Sequence, residues 1–125
     1  MGGYGPWARK ARLQHVEPPF HVIESMLTLR MHLDDVPADN APLLIAPGSH
    51  RLGKVPGSEI ETVVATCGTR ACVAASGDIW AYATAIVHAS AAALHDKSRI
   101  RTHRRVLQVA LTADSLPSPL AWRGV

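Results

Sequence analysis

Nine consecutive residues set the strongest constraint on this chain. In Met26-Leu-Thr-Leu-Arg-Met-His-Leu-Asp34, Leu27, Leu29, Met31 and Leu33 alternate without fault with Thr28, Arg30, His32 and Asp34. Side chains alternate between the two faces of a β-strand, so this pattern fits a strand with one apolar and one polar face. A helix would scatter the same residues around its circumference. The polar face places an arginine, a histidine and a carboxylate in a row, an arrangement that either meets water or lines a polar cavity.

Turn signals and further short strands surround this element. Residues 1–25 carry Gly2, Gly3, Gly5, Pro6, Pro18 and Pro19 and read as an irregular, extended N-terminal segment rather than a helix. Residues 35–42 are rich in Asp, Asn and Pro and form a turn. Leu43 to Ala46 is a short apolar strand that ends at Pro47-Gly48-Ser49-His50, a structural turn. Residues 51–61 read as a polar loop. Thr62 to Ala65 and Ala71 to Ala75 are weak strand candidates, and Ser76-Gly77-Asp78 is a tight turn. Ile79 to Ser90 reads as one strand with Trp80, Tyr82, Thr84, Ile86 and His88 on one face. Leu94 to Thr102 is a charged loop, Arg104 to Thr112 is a last alternating strand, and the tail is extended. Many short strands without a long helix imply an all-β fold of the sandwich, barrel or jelly-roll kind.

Composition narrows the function classes. The 125 residues suit one domain, and 47% of them are hydrophobic while 18% are charged, so the chain can bury a core. No apolar run reaches the roughly 18–20 residues of a membrane-spanning helix. No apolar core follows the charged N-terminus as a secretory signal requires, so a cytoplasmic protein without membrane contact is expected. The net charge is +3. Its densest basic run, Lys97 to Arg105, reads as a solvated loop, and one Phe and two Tyr offer few stacking platforms, so no nucleic-acid partner is expected. Cys67 and Cys72 are not at CxxC spacing and read as two small buried thiols.

Three stretches taken together resemble one family. They are Leu29-Arg-Met-His-Leu-Asp-Asp35 followed by Asp39-Asn-Ala-Pro-Leu-Leu-Ile-Ala-Pro-Gly-Ser-His-Arg-Leu-Gly53; Gly77-Asp78 running to His88-Ala-Ser90; and Arg104-Arg-Val-Leu107. Each piece is weak alone, and their order is specific as a set. Over roughly residues 14–122 the chain resembles the C-terminal part of the phytanoyl-CoA dioxygenase family of Fe(II)/2-oxoglutarate oxygenases. The resemblance implies a double-stranded β-helix, a cupin-like jelly roll, here incomplete at its N-terminus. It implies Fe(II) held by two histidines and one carboxylate, with positions left open for the cosubstrate 2-oxoglutarate and for O₂. The implied activity is hydroxylation of a small organic molecule.

Residue by residue, His88 matches the family's distal iron-binding histidine, and Arg104 matches the arginine that pairs with the far carboxylate of 2-oxoglutarate. Arg105 competes with Arg104, because a shift of one residue exchanges the two strand faces. For the other two ligands the sequence offers two solutions. His32-Leu33-Asp34 is a local His-x-Asp that completes a triad with His88. By family alignment, the ligand pair instead precedes Met1, and residues 33–35 match a later core strand. Arg30 and Thr28 share the face of His32 and are candidate contacts to cosubstrate or substrate. Ala41 stands where the family carries a glycine. The alternative to a truncated oxygenase is a non-catalytic jelly-roll module that has lost iron. In either case the missing strands leave sheet edges unpaired, which favours self-association.

Overall fold

A computed structural model describes residues 3–90 and 104–122. The expected charged loop at 94–102 lies outside the described residues, as does most of the basic run that begins at Lys97. The described chain forms β1 (Trp7–Lys10), β2 (Leu13–Val16), α1 (Phe20–Glu24), β3 (Leu27–His32), β4 (Leu43–Ile45), α2 (Ile60–Cys67), β5 (Arg70–Cys72), β6 (Ile79–Ala83), β7 (His88–Ser90) and β8 (Val106–Leu111). All strand pairings are antiparallel, in a β1-β2 hairpin and two three-stranded sheets ordered β6-β3-β8 and β5-β4-β7. The fold is all-β and jelly-roll-like. Among the described residues no helix is long and apolar enough to cross a membrane.

The alternating segment forms the central strand β3 of its sheet. Its register sets Thr28 beside Tyr82 and Ala110, Arg30 beside Trp80 and Gln108, and His32 beside Val106. Tyr82 belongs to the buried core with Leu43, Cys72 and Ile86, and Trp80 and Ile45 pack against that core. The core thus draws residues from both three-stranded sheets, whose inner faces meet there. The face that carries Thr28, Arg30 and His32 is therefore the inner one. Thr28 and His32 are only 2% and 1% exposed, while Leu27 and Met31 on the other face are 42% and 38% exposed.

Three sequence expectations are corrected. Residues 1–25 are not irregular throughout. Lys10 pairs with Leu13 across a two-residue turn, Ala11-Arg12, whose positive φ angles of 48° and 65° match the right-handed twist of a hairpin. Helix α1 then follows Pro19. Thr62 to Ala65 is helical, not a strand. Ile60, Val63, Val64 and Cys67 recur at helical spacing, Glu61 sits in the first turn, and Gly68 at φ 75° ends the helix. The run from Ile79 to Ser90 is two strands in different sheets. The chain turns at residues 84–87, where the Val87 N–H donates to Ser49 Oγ at 2.8 Å. Ser49 is fully buried in a short 3₁₀ turn, Ser49–Arg51, so Pro47-Gly48-Ser49-His50 is the structural turn expected. Of the two thiols, Cys72 is buried as expected and Cys67 is only partly so.

Candidate functional site

The inner face of β3 is the most polar buried surface described. Thr28 has a partner there, with its Oγ1 2.7 Å from Thr84 Oγ1. His32 does not: among the described residues neither ring nitrogen has a hydrogen-bond partner, and Arg30 Nε is likewise buried without one. Burial is the largest influence on His32 and holds its pKa below the ordinary 6.5. The Arg30 and Arg104 guanidinium groups push in the same direction, against a weaker upward pull from Asp78. Two cations therefore flank a neutral imidazole. Arg30 also acts on the buried Cys72 thiol of the facing sheet, whose pKa is raised by burial and drawn back by Arg70 and Arg30. Its charge is thus felt on both sides of the interior.

Arg104 and Arg105 diverge as alternation requires. An Arg104 Nη1 N–H donates to the carbonyl of Ala41, which is 5% exposed. Arg105 instead engages Asp34 in a fork, Nε to Oδ2 at 3.0 Å and Nη2 to Oδ1 at 2.9 Å, and its backbone N–H donates to Oδ2 at 2.7 Å. The Asp34 side chain is 20% exposed and that of Arg105 is 69% exposed. Strand β3 ends at His32, and residues 33 and 34 bend away, so Asp34 leaves the face that its spacing from His32 implies. Ala41 adopts φ 47°, the left-handed conformation that glycine takes most easily, at the position where the resemblance expects a glycine.

His88 belongs to the other sheet, where β7 pairs it with Ile45, which packs against the core. Its Nδ1 lies 2.7 Å from the Ile86 carbonyl, and its ring centroid is 6.1 Å from that of Tyr82. A carbonyl only accepts, so Nδ1 carries the proton and Nε2 keeps its lone pair in the neutral ring. This is the tautomer in which a histidine binds metal, oriented by a backbone carbonyl.

The side chains described do not fit an Fe(II) facial triad. His88 and His32 offer nitrogen donors, but the Asp34 carboxylate is committed to Arg105. Among the described residues no group of three His, Cys, Asp or Glu side chains is placed to hold a metal ion. The local triad of His32, Asp34 and His88 expected from spacing is therefore not brought together. What the structure brings together is Arg30, His32 and Arg104.

Two features escaped the sequence reading. Arg70 lies over the Trp80 ring, 5.4 Å from its centroid, and no sequence spacing marks that pair. A cleft of about 830 Å³ lies beside β8. Trp7, Val16, Val109, Leu111 and Trp122 line it, and Gln108 joins it to the strand position opposite Arg30. The N-terminal hairpin forms one wall, which an irregular segment did not foretell.

Residues 1–101 match a protein-family model described as Phytanoyl-CoA dioxygenase (PhyH). The match begins and ends earlier than the motifs read from the sequence. It takes in Arg30, His32, Asp34 and His88 and stops short of Arg104 and Arg105. No curated protein matches the chain.

Proposed function

The chain belongs to the phytanoyl-CoA dioxygenase family, and from that premise we propose that it serves an Fe(II)/2-oxoglutarate oxygenase that hydroxylates a small organic molecule. Family membership implies the oxygenase superfamily. The observation that carries the reading further is the set of buried polar atoms on the inner sheet face without a partner among the described residues: both ring nitrogens of His32, one of them a donor in the neutral ring, and the donor Arg30 Nε. A cavity built to hold an organic acid needs donors of this kind, because buried polar groups are otherwise matched within the fold. In this reading Arg104 pairs with 2-oxoglutarate, Arg30 contacts cosubstrate or substrate, and His88 supplies one iron ligand.

A second reading is a non-catalytic module of the same fold. The Asp34–Arg105 fork favours it, since it removes the local carboxylate from any metal. Titration with Mn(II) and 2-oxoglutarate, followed by electron paramagnetic resonance, separates the two. The oxygenase reading expects binding that is lost in His88→Ala. Failure of the wild-type chain to bind Mn(II) leaves the module. We also propose that the chain self-associates along the edge strands β6 and β8, which have no further partner strand among the described residues.

A further inference from the structure

We infer that Arg30 and His32 form a metal-independent oxyanion site on the inner sheet face, fitted to the acidic group of a small organic acid. Two donors are already in place, the Arg30 Nε–H and the one ring N–H of neutral His32. Arg30 Nε and both His32 ring nitrogens are buried without partners among the described residues. The two residues are two apart on the central strand, so they present to the same side. Trp80, Gln108 and Val106 flank them in the neighbouring strands. None of these flanking side chains is acidic; the carboxylate felt at His32 is that of Asp78, whose pull is weaker than the opposing effects of burial and Arg30 and whose Oδ2 already accepts the Ala75 backbone N–H at 2.8 Å.

The sign of the ligand follows from the charges. A metal cation would meet two guanidinium groups against one carboxylate, since the charges of Arg30, Asp78 and Arg104 all reach His32. An oxyanion would accept from the Arg30 N–H groups and from the protonated ring nitrogen of His32. Charge-assisted hydrogen bonds of that type are shorter and stronger than neutral ones. The ligand also removes the penalty of leaving those donors buried and unmatched. The site lies on β3, away from Arg104 in sequence and on a different strand from His88. Its chemistry would be shared by the substrate's acid group and by 2-oxoglutarate, and the inference commits to the substrate. It rests on the oxygenase reading only for the name of that ligand, since the site itself involves no iron.

The test uses the whole chain in EDTA with two probes, inorganic phosphate and benzoate. Binding is followed by calorimetry and by the ring resonances of His32 in NMR spectra. The expected result is saturable binding that shifts the His32 ring signals and is weakened at least about tenfold by Arg30→Gln or by His32→Phe. Arg30→Lys keeps the charge but loses the planar fork, and should recover only part of the affinity. Arg104→Gln should change benzoate binding less than either inner-face change. Four results overturn the inference: no shift at His32, affinity unchanged in Arg30→Gln, binding abolished by EDTA, or one-for-one displacement of benzoate by 2-oxoglutarate. The last assigns the donors to the cosubstrate. Because metal is absent throughout, a failed Mn(II) titration leaves the outcome readable.

Discussion

The two faces of strand β3 reverse the usual arrangement. The buried side of β3 carries Thr28, Arg30 and His32, with Gln108 beside them. The other side carries Leu27, Met31, Ile79, Leu107 and Leu111, which are 38–54% exposed. A sheet selected for stability alone would turn the leucines inward, because burying apolar area is the main favourable contribution to folding. The polar inner face is costly to the fold, and its retention is what a binding cavity requires. The outer leucines are then the face that a further layer of structure or another molecule must cover.

The sharpest way to break the comparison is to make the inner face apolar. His32→Leu removes two buried unmatched nitrogens and should raise unfolding stability by about 1–3 kcal/mol, read from the denaturant midpoint. It should also abolish oxyanion binding. A destabilised variant would show that His32 is held by the fold rather than tolerated for a ligand.

The pH dependence sharpens the same point. His32 titrates below its ordinary value of 6.5 in the folded chain because it is buried and flanked by cations. The unfolded state therefore binds the proton more readily, and stability rises with pH wherever that holds. Its contribution should be complete above about pH 6.5 and fall as the pH drops below that value. Denaturation of wild type and His32→Leu between pH 5 and 8 should show a slope in the first that the second lacks.

Smaller changes test the loop that receives Arg104 and the outer face. Ala41→Gly relieves a positive φ in the loop that receives Arg104, and should stabilise the chain by about 0.5–1 kcal/mol. A loss of stability would place the strain elsewhere. Leu107→Lys with Leu111→Lys puts charge on the exposed side of edge strand β8. Stability should change by less than about 0.5 kcal/mol per site, while sedimentation velocity should shift toward monomer. An unchanged sedimentation profile would count against association through this edge.

How much of this was legible in the sequence depends on whether the signal was local. Period-two alternation located β3 to within two residues, and Gly77 and Pro47 marked real turns. Which face of β3 lies inside was not legible, because alternation fixes two faces and says nothing of what covers each. The hairpin at residues 7–16 was missed because its turn uses Ala11 and Arg12, where glycine or asparagine normally advertises positive φ. Helix α2 was missed because Val63, Val64 and Thr66 favour strands taken singly, whereas their spacing follows the helical period. The opposite directions taken by Arg104 and Arg105 were legible from alternation. The capture of Asp34 by Arg105 was not, since it depends on a bend at the end of β3 that joins residues distant in sequence.

The two thiols follow from the same architecture and give the molecule a clock. Cys72 lies in the core between the sheets at 1% exposure, with its pKa raised by burial, whereas Cys67 sits partly open at the end of α2. A thiol-specific reagent reacts with thiolate that it can reach. Cys67 should be modified promptly, and Cys72 only during moments when the two sheets part. The slow phase of labelling therefore measures how often the interior opens. A ligand held between the sheets would lengthen that phase.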